Sequence, residues 1–247
     1  MSDPISTFTT RLYTDWLPSF CSAPHRNYST AGFKDNSIKK LSEFDARWFL
    51  NAVDSGLVTE LDGFFTAPKS KAKEQIFWTG RKIKRPRPIT LWIEPIITIG
   101  ALARLNKKFG WPCENLGTQS QKWAFDLVCY GNTSDDEHIV CEVKKHPKEI
   151  IVLLEFMNFH CARNPMDYEP TNAKERNAYR KVQGVRRSWP SVFWALGPRG
   201  EGQVFRISRD GVSQRFSLEH DQQSALNYEN ALRRWKSESY GRGSVVC

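Results

Sequence analysis

The chain has no C-x-x-C pair. Its cysteines stand apart at positions 21, 113, 129, 141, 161 and 247, which excludes the usual zinc-finger and zinc-ribbon spacings. Cys21 with His25, and His160 with Cys161, are near neighbours of ligand type, but their spacing matches no zinc pattern, so buried thiols are expected. There is no apolar run near the ~20 residues that a spanning helix needs. The opening "MSDPISTFTTRLYTDW" has neither the basic head nor the apolar middle of a signal peptide. The expectation is a soluble intracellular protein, cytoplasmic, or nucleoid-associated if prokaryotic. No glycine-rich phosphate loop is present: "GPRGEG" at 197–202 lacks the Walker spacing and the following Lys-Ser/Thr. No G-x-S-x-G marks a serine hydrolase, and no internal repeat marks a solenoid.

What the chain has in quantity is positive charge. Its 247 residues carry a formal net charge of +9 and are 40% hydrophobic, with nine tryptophans. That supports one large domain, or a compact domain with an appended module, around a sizeable core. A basic surface suits a polyanion, nucleic acid first and anionic membrane as the rival. Much of the excess sits at 69–87, where eight Lys and Arg face one acid, Glu74. Two readings stay open there: a solvated loop, or an arm or hairpin that contacts phosphates. Lys82, Lys84, Arg85 and Arg87 are the candidate contacts, with Lys145 farther along.

Elements follow from apolar period and punctuation. Residues 41–55 read as a helix capped by Ser42, with Gly56 at its end. From 93, Ile97, Ala101, Leu105 and Phe109 keep helical register, and Pro95 suits a first turn. Residues 122–131 and "IVCEVKK" at 139–145 read as strands about a polar turn centred near Ser134. Pro147 opens a helix to Cys161, 172–184 reads as a polar helix, and 191–197 as a buried strand. A hairpin about Asp210-Gly211 sets Phe205 opposite Phe216, and a last helix spans 221–238 with Leu226 and Trp235 as anchors. The division expected is an N-terminal, partly helical extension over 1–89 and an α/β core over 90–247.

Glu142 and Lys144 share one face of their strand. Folding back about Ser134 sets Asp126 opposite Glu142, with side chains roughly 5 Å apart. Paired carboxylates in apolar surroundings repel each other unless a cation joins them. Lys144 supplies one charge. A divalent ion would supply two, and carboxylate oxygens suit Mg²⁺. An Asp, a Glu and a Lys on the exposed face of a hairpin is the plain alternative, but the apolar neighbours of Asp126 and Glu142 mark both strands as interior. A structural Glu142–Lys144 salt bridge is another, and it leaves Asp126, flanked by Phe125 and Leu127, unexplained.

"FD" followed after 15 residues by "EVK" resembles the PD-(D/E)XK nuclease superfamily. The helix–strand–strand–helix–strand order around it is similar to that family's core. The resemblance covers roughly 90–200. It implies a restriction-endonuclease-like mixed β-sheet flanked by helices, and a Mg²⁺- or Mn²⁺-dependent phosphodiester hydrolase. Asp126 and Glu142 would then be metal ligands, the Val143 carbonyl a third, and Glu94 on the first core helix a further acid. Lys144 would be the catalytic lysine. The proline that precedes the family's Asp is absent, with Phe125 in its place. DNA is favoured over RNA by the resemblance alone, and a homodimer or a partner subunit stays open. Two rivals remain: a non-catalytic nucleic-acid-binding subunit on the same fold, and an assembly factor whose basic surface meets an acidic protein. His146 reads as a helix-start residue first and as a phosphate contact second, and Arg180, Lys181, Arg186 and Arg187 read either as a DNA groove or as a solvated helix face.

Overall fold

The structure is a computed structural model that describes residues 3–81, 85–120, 124–131, 136–164, 170–211 and 214–233. It opens on α1 (Pro4–Arg11), where the Asp3 carboxylate accepts the Ile5 and Ser6 backbone N–H groups and Pro4 occupies the first turn. A π-helical turn, Leu12–Trp16, leads into α2 (Leu17–Ser22). Then comes α3 (Glu43–Asp54), where the apolar period puts it. Ser42 Oγ accepts the Asp45 N–H at 3.1 Å, and Gly56 follows at φ +70°. The strands β1 (Thr59–Leu61), β2 (Phe64–Thr66) and β3 (Glu74–Gln75) form a small antiparallel sheet. The next two, β4 (Phe77–Thr79) and β5 (Ile89–Leu91), pair as a hairpin whose first strand lies in the basic segment.

The second half runs α4 (Ile93–Phe109), β6 (Leu116–Thr118), β7 (Leu127–Tyr130), β8 (Glu137–Val143), α5 (Pro147–Cys161), α6 (Ala173–Ser188), β9 (Val192–Leu196), β10 (Gly202–Arg209) and β11 (Phe216–Asp221). Its six strands lie in the order β11-β10-β9-β8-β7-β6. Neighbours are antiparallel except β8 and β9, which are parallel and joined through α5 and α6. The protein is thus mixed α/β, with a mixed sheet flanked by helices. Every residue of β8 and β9 is buried, as a parallel pair covered on both faces requires. Alternation sorts the side chains: Cys129, Ile139, Cys141 and Trp194 join the core with α4 and the N-terminal helices. Val128, Val140, Phe193 and Ala195 join the one under α5 and α6. The first core is continuous from Phe8 to Ala231. Rings of Trp16, Phe49 and Phe65 meet edge to face at 5.1–6.1 Å, each contact adding ~0.5–1.5 kcal/mol beyond its buried area. Gly100 lets α4 touch α3, since a Cβ there would lie 3.1 Å from Trp48 Cβ.

Several expectations are corrected. The first site strand starts at Leu127, not Lys122; Ala124 and Phe125 instead turn about Ser120, whose Oγ accepts both backbone N–H groups. The strand β6 has no counterpart in the sequence reading. Phe216 pairs with Arg209, and Phe205 with His220. The connection is longer than a two-residue turn, closed by Asp210 N–H on the Arg215 carbonyl at 3.1 Å. The last helix does not begin at 221: Asp221 ends β11, a 3-10 turn spans Gln223–Leu226, and residues 228–233 are helical. Trp235 lies outside the described residues. No helix among the described residues is long and apolar enough to cross a membrane.

Candidate active site

The pairs Leu127–Cys141, Val128–Val140 and Cys129–Ile139 follow the register expected from a turn near Ser134. It slips only toward the turn, where Tyr130 pairs with Glu137, so the slip does not reach the site. Asp126 sits just before β7. Its N–H donates to the Cys141 carbonyl at 3.0 Å, and its Oδ2 accepts the Val143 N–H at 2.8 Å. Backbone and side chain together clamp it to β8 near Glu142.

Glu142 points to the α5–α6 face and is 2% exposed. A lone carboxylate there would cost several kcal/mol, but two lysines meet it. Lys144 Nζ lies 2.6 Å from Oε1, and Lys181 Nζ, from α6, lies 2.5 Å from Oε2. Lys181 also donates to the Ala124 carbonyl. Lys144 is held past the end of β8 by its N–H on the Leu196 carbonyl, at 2.9 Å. Glu94, in the first turn of α4, accepts the Trp92 indole N–H at 3.1 Å and the Lys145 backbone N–H at 3.4 Å. It therefore turns toward the end of the sheet. Asp126, Glu142, Lys144 and Glu94 are brought together.

Their charges do not balance evenly. Burial raises the Glu142 pKa, but Lys181 and Lys144 outweigh it and the net shift is downward. Burial lowers Lys144, but Glu142, Asp126 and Glu94 outweigh that and hold it above its ordinary value. Asp126 is pushed up to about 8, by burial first and by Glu142 second, against the pull of Lys181, Lys144 and the Val143 N–H. The lysines neutralise Glu142 and leave Asp126 short of positive charge. Every donor here is an oxygen, which suits a hard cation such as Mg²⁺ or Mn²⁺. Among the described residues, no group of three or more His, Cys, Asp or Glu side chains has metal-holding geometry. Binding an ion at Glu142 would require one lysine to release its oxygen.

Three neighbours have no place at the site in the sequence reading. Glu74, on β3, is pushed up to about 7 by burial and then, against the Gln119 bond, by Glu94. Gln119 Nε2 donates to Glu74 at 3.1 Å, while its own backbone N–H donates to the Asp126 carbonyl at 2.9 Å. The third is Lys181. Its place on a polar helix suggests a groove-lining or solvated base, like Arg186, and the structure buries both. Arg186 donates to the carbonyls of His160, Arg163 and Gln214. Arg180 and Arg187 stay exposed. The available signal was spacing: Lys181 shares a helix face with buried Ala178, Val182 and Val185.

The site opens into a cleft of about 470 Å³ lined by Glu94, Lys144, Lys148, Glu149, Lys174 and Asn177, among others. Beyond Lys144, a second cleft of about 520 Å³ is rimmed by Lys39, Lys40, Lys145, His146 and Arg199 against Glu201. His146 occupies the N-cap position of α5 there, without a side-chain bond to the helix. Arg85 and Arg87 line a separate cleft with Arg26 and Tyr28, where Arg87 bonds the Gly80 carbonyl and the Tyr28 hydroxyl. Lys82 and Lys84 lie outside the described residues. Cys21, Cys129, Cys141 and Cys161 are buried free thiols, and Cys113 is exposed.

No protein-family model, no curated sequence and no solved structure matches the chain.

Proposed function

We propose that the chain is a metal-dependent nuclease that hydrolyses phosphodiesters, with DNA ahead of RNA as its substrate. One observation carries this reading: half-buried Asp126, just before β7, is clamped beside buried Glu142 on β8, and the lysine two residues past the Glu lines a lysine-rimmed cleft. The order α4–β6–β7–β8–α5–α6–β9 supports the restriction-endonuclease-like assignment, with β6 added to the elements read from the sequence.

Mg²⁺ or Mn²⁺ on Asp126 and Glu142, with the Val143 carbonyl and Glu94 as further donors, would polarise a phosphoryl oxygen and acidify a bound water. The chain's own groups divide the remaining work. Lys144, whose pKa is raised, stays an ammonium at neutral pH. It therefore serves to hold a phosphate oxygen and offset charge in the transition state, not to take a proton. Lys181 fixes the Glu142 carboxylate from behind. Lys148 and Lys174 at the mouth draw in the polyanion, a sequence-independent and salt-sensitive contribution.

A second reading has its own support. Both Glu142 oxygens already meet lysines, which suits a non-catalytic subunit that binds nucleic acid through a closed ion-pair network. Incubation with plasmid and with single-stranded DNA, with and without Mg²⁺ or Mn²⁺, separates the two. The nuclease cuts only with metal, and Glu142→Ala and Lys144→Ala do not cut. Cleavage that persists in both variants sinks the site assignment. Tight binding without cleavage of any substrate favours the second reading.

A further inference from the structure

The basic hairpin carries an aromatic feature that neither the core nor the carboxylate site uses. Trp78 on β4 is 59% exposed, while its neighbour Phe77 is fully buried. In the hairpin register Trp78 faces Thr90, which makes Trp92 its diagonal neighbour on the same face. The two indoles meet edge to face with centroids 5.5 Å apart. Trp92 is fixed in turn: its backbone N–H donates to the Ile76 carbonyl at 2.7 Å, and its indole N–H to Glu94 at 3.1 Å. A chain of contacts therefore runs from an exposed indole to an acid that lines the site cleft beside Lys144.

An exposed indole held in place by a second one is a preformed stacking surface. The surrounding charge indicates what stacks there. The segment 69–87 that holds Trp78 has eight basic residues and one acid, and Arg81 and Arg85 on the same hairpin are exposed. Interleaved cations and a free indole face suit a polyanion with flat π-faces, and apolar protein surface lacks the matching charge. Paired bases in a duplex stack on one another and offer no free face, so the ring selects unpaired ones.

We infer that Trp78, propped by Trp92, is a stacking platform for an unpaired base of a single-stranded nucleic acid, placed beside the candidate active site. The inference deepens the nuclease reading, on which it rests for the meaning of the neighbouring cleft. It assigns the substrate class: single strands, flaps or frayed ends. The base on Trp78 anchors the strand, and the backbone next to it passes the lysines at the cleft mouth.

The test measures binding of the full chain in EDTA, where cleavage is not required. The probes are fluorescein-labelled oligothymidylate and oligouridylate of about 15 nucleotides, a length that covers common single-strand site sizes, and a blunt duplex. Fluorescence anisotropy is read for the wild type, Trp78→Ala and Trp78→Phe. Trp78→Ala is expected to lose about 5- to 100-fold in affinity for the single strands. Affinity for the duplex should change less than about twofold, and Trp78→Phe should retain most of the single-strand affinity because a ring remains. Quenching of tryptophan fluorescence by the unlabelled oligonucleotide should shrink in Trp78→Ala. Circular dichroism checks that the variant is folded. Equal losses on single and double strands, or no loss on either, overturns the inference. So does failure of the wild type to bind single strands, which would give the indole to a protein partner. A chain that binds single strands through Trp78 but cuts nothing keeps this inference and loses the nuclease reading.

Discussion

Asp126→Asn should make the protein more stable at neutral and alkaline pH. The amide keeps an oxygen to accept the Val143 N–H, a bond now 2.8 Å long, and removes only the charge. The carboxyl is pushed from 3.8 to about 8 by burial and by Glu142. Between those values the unfolded chain has lost this proton and the native chain still holds it, so wild-type stability falls as pH rises. At pH 7 the distance from the ordinary value is about three pH units. At ~1.4 kcal/mol per unit that sets a ceiling of about 4 kcal/mol. Asp126 is only partly shielded from water, so roughly half of this, on the order of 2 kcal/mol, is the expected gain. Urea unfolding in EDTA at pH 5, 7 and 8.5, read as variant minus wild type, isolates the group. The gap should be small at pH 5, grow toward pH 8, and level off above it. Adding Mn²⁺ should shrink or reverse it, because an ion that binds the wild type better stabilises it by mass action. A gap that is constant with pH, or a variant less stable than wild type at pH 8.5, would refute a charge-starved Asp126.

Lys181→Met should cost about 3–5 kcal/mol at pH 7, because it strips one cation from a buried carboxylate. The Glu142 pKa lies below its ordinary value in the fold, so its stabilising charge is present above that value and is lost as pH falls. The cost should therefore narrow toward pH 4 in urea titrations, and a pH-independent cost would contradict the pairing. Gly117→Ala places a Cβ 2.4 Å from the Lys69 carbonyl oxygen. It should destabilise by about 1–3 kcal/mol and speed hydrogen exchange of the Lys69 and Lys71 amides, which now bond to β6; unchanged exchange would show that the strand edge tolerates the side chain. Lys145→Ala should reduce the salt dependence of nucleic-acid binding by about one unit of log-log slope, measured by anisotropy. An unchanged slope would remove Lys145 from the phosphate path.

The sequence made the interior elements of the second half legible. The bounds of α5 follow from Pro147 and a long apolar period, α4 from the i, i+4 register of Ile97, Ala101, Leu105 and Phe109, and β9 from a continuous apolar run. The Asp126–Glu142 register was legible because the polar turn between the strands is unambiguous and the one irregularity lies beyond Cys129. The β10–β11 register was not, since Asp210-Gly211 suggested a tight turn where the chain takes a longer one to Arg215. With three residues, one of them Gly117, β6 offers no alternation to detect. The N-terminal helices pack by scattered aromatic residues and a π-turn, so no single period marks them. Asp3-Pro4 was their one local sign. Lys181 was missed because a lysine on a polar helix reads as solvated, and its burial follows from a contact 39 positions away in the chain.

That separation also sets an order of assembly. The β7–β8 hairpin, local in the chain, is expected to close first and bring Asp126 to Glu142 early. Lys181 should reach them only after α5 has formed, the chain has crossed over and α6 has docked with β9 alongside β8. Until then the two acids must stay hydrated, so the strand ends around them cannot dry. The late-arriving ammonium acts as the lock on that end of the sheet, and its loss should show in the unfolding rate more than in the folding rate. A Lys181→Met chevron that moved mainly in its folding limb would reverse this order.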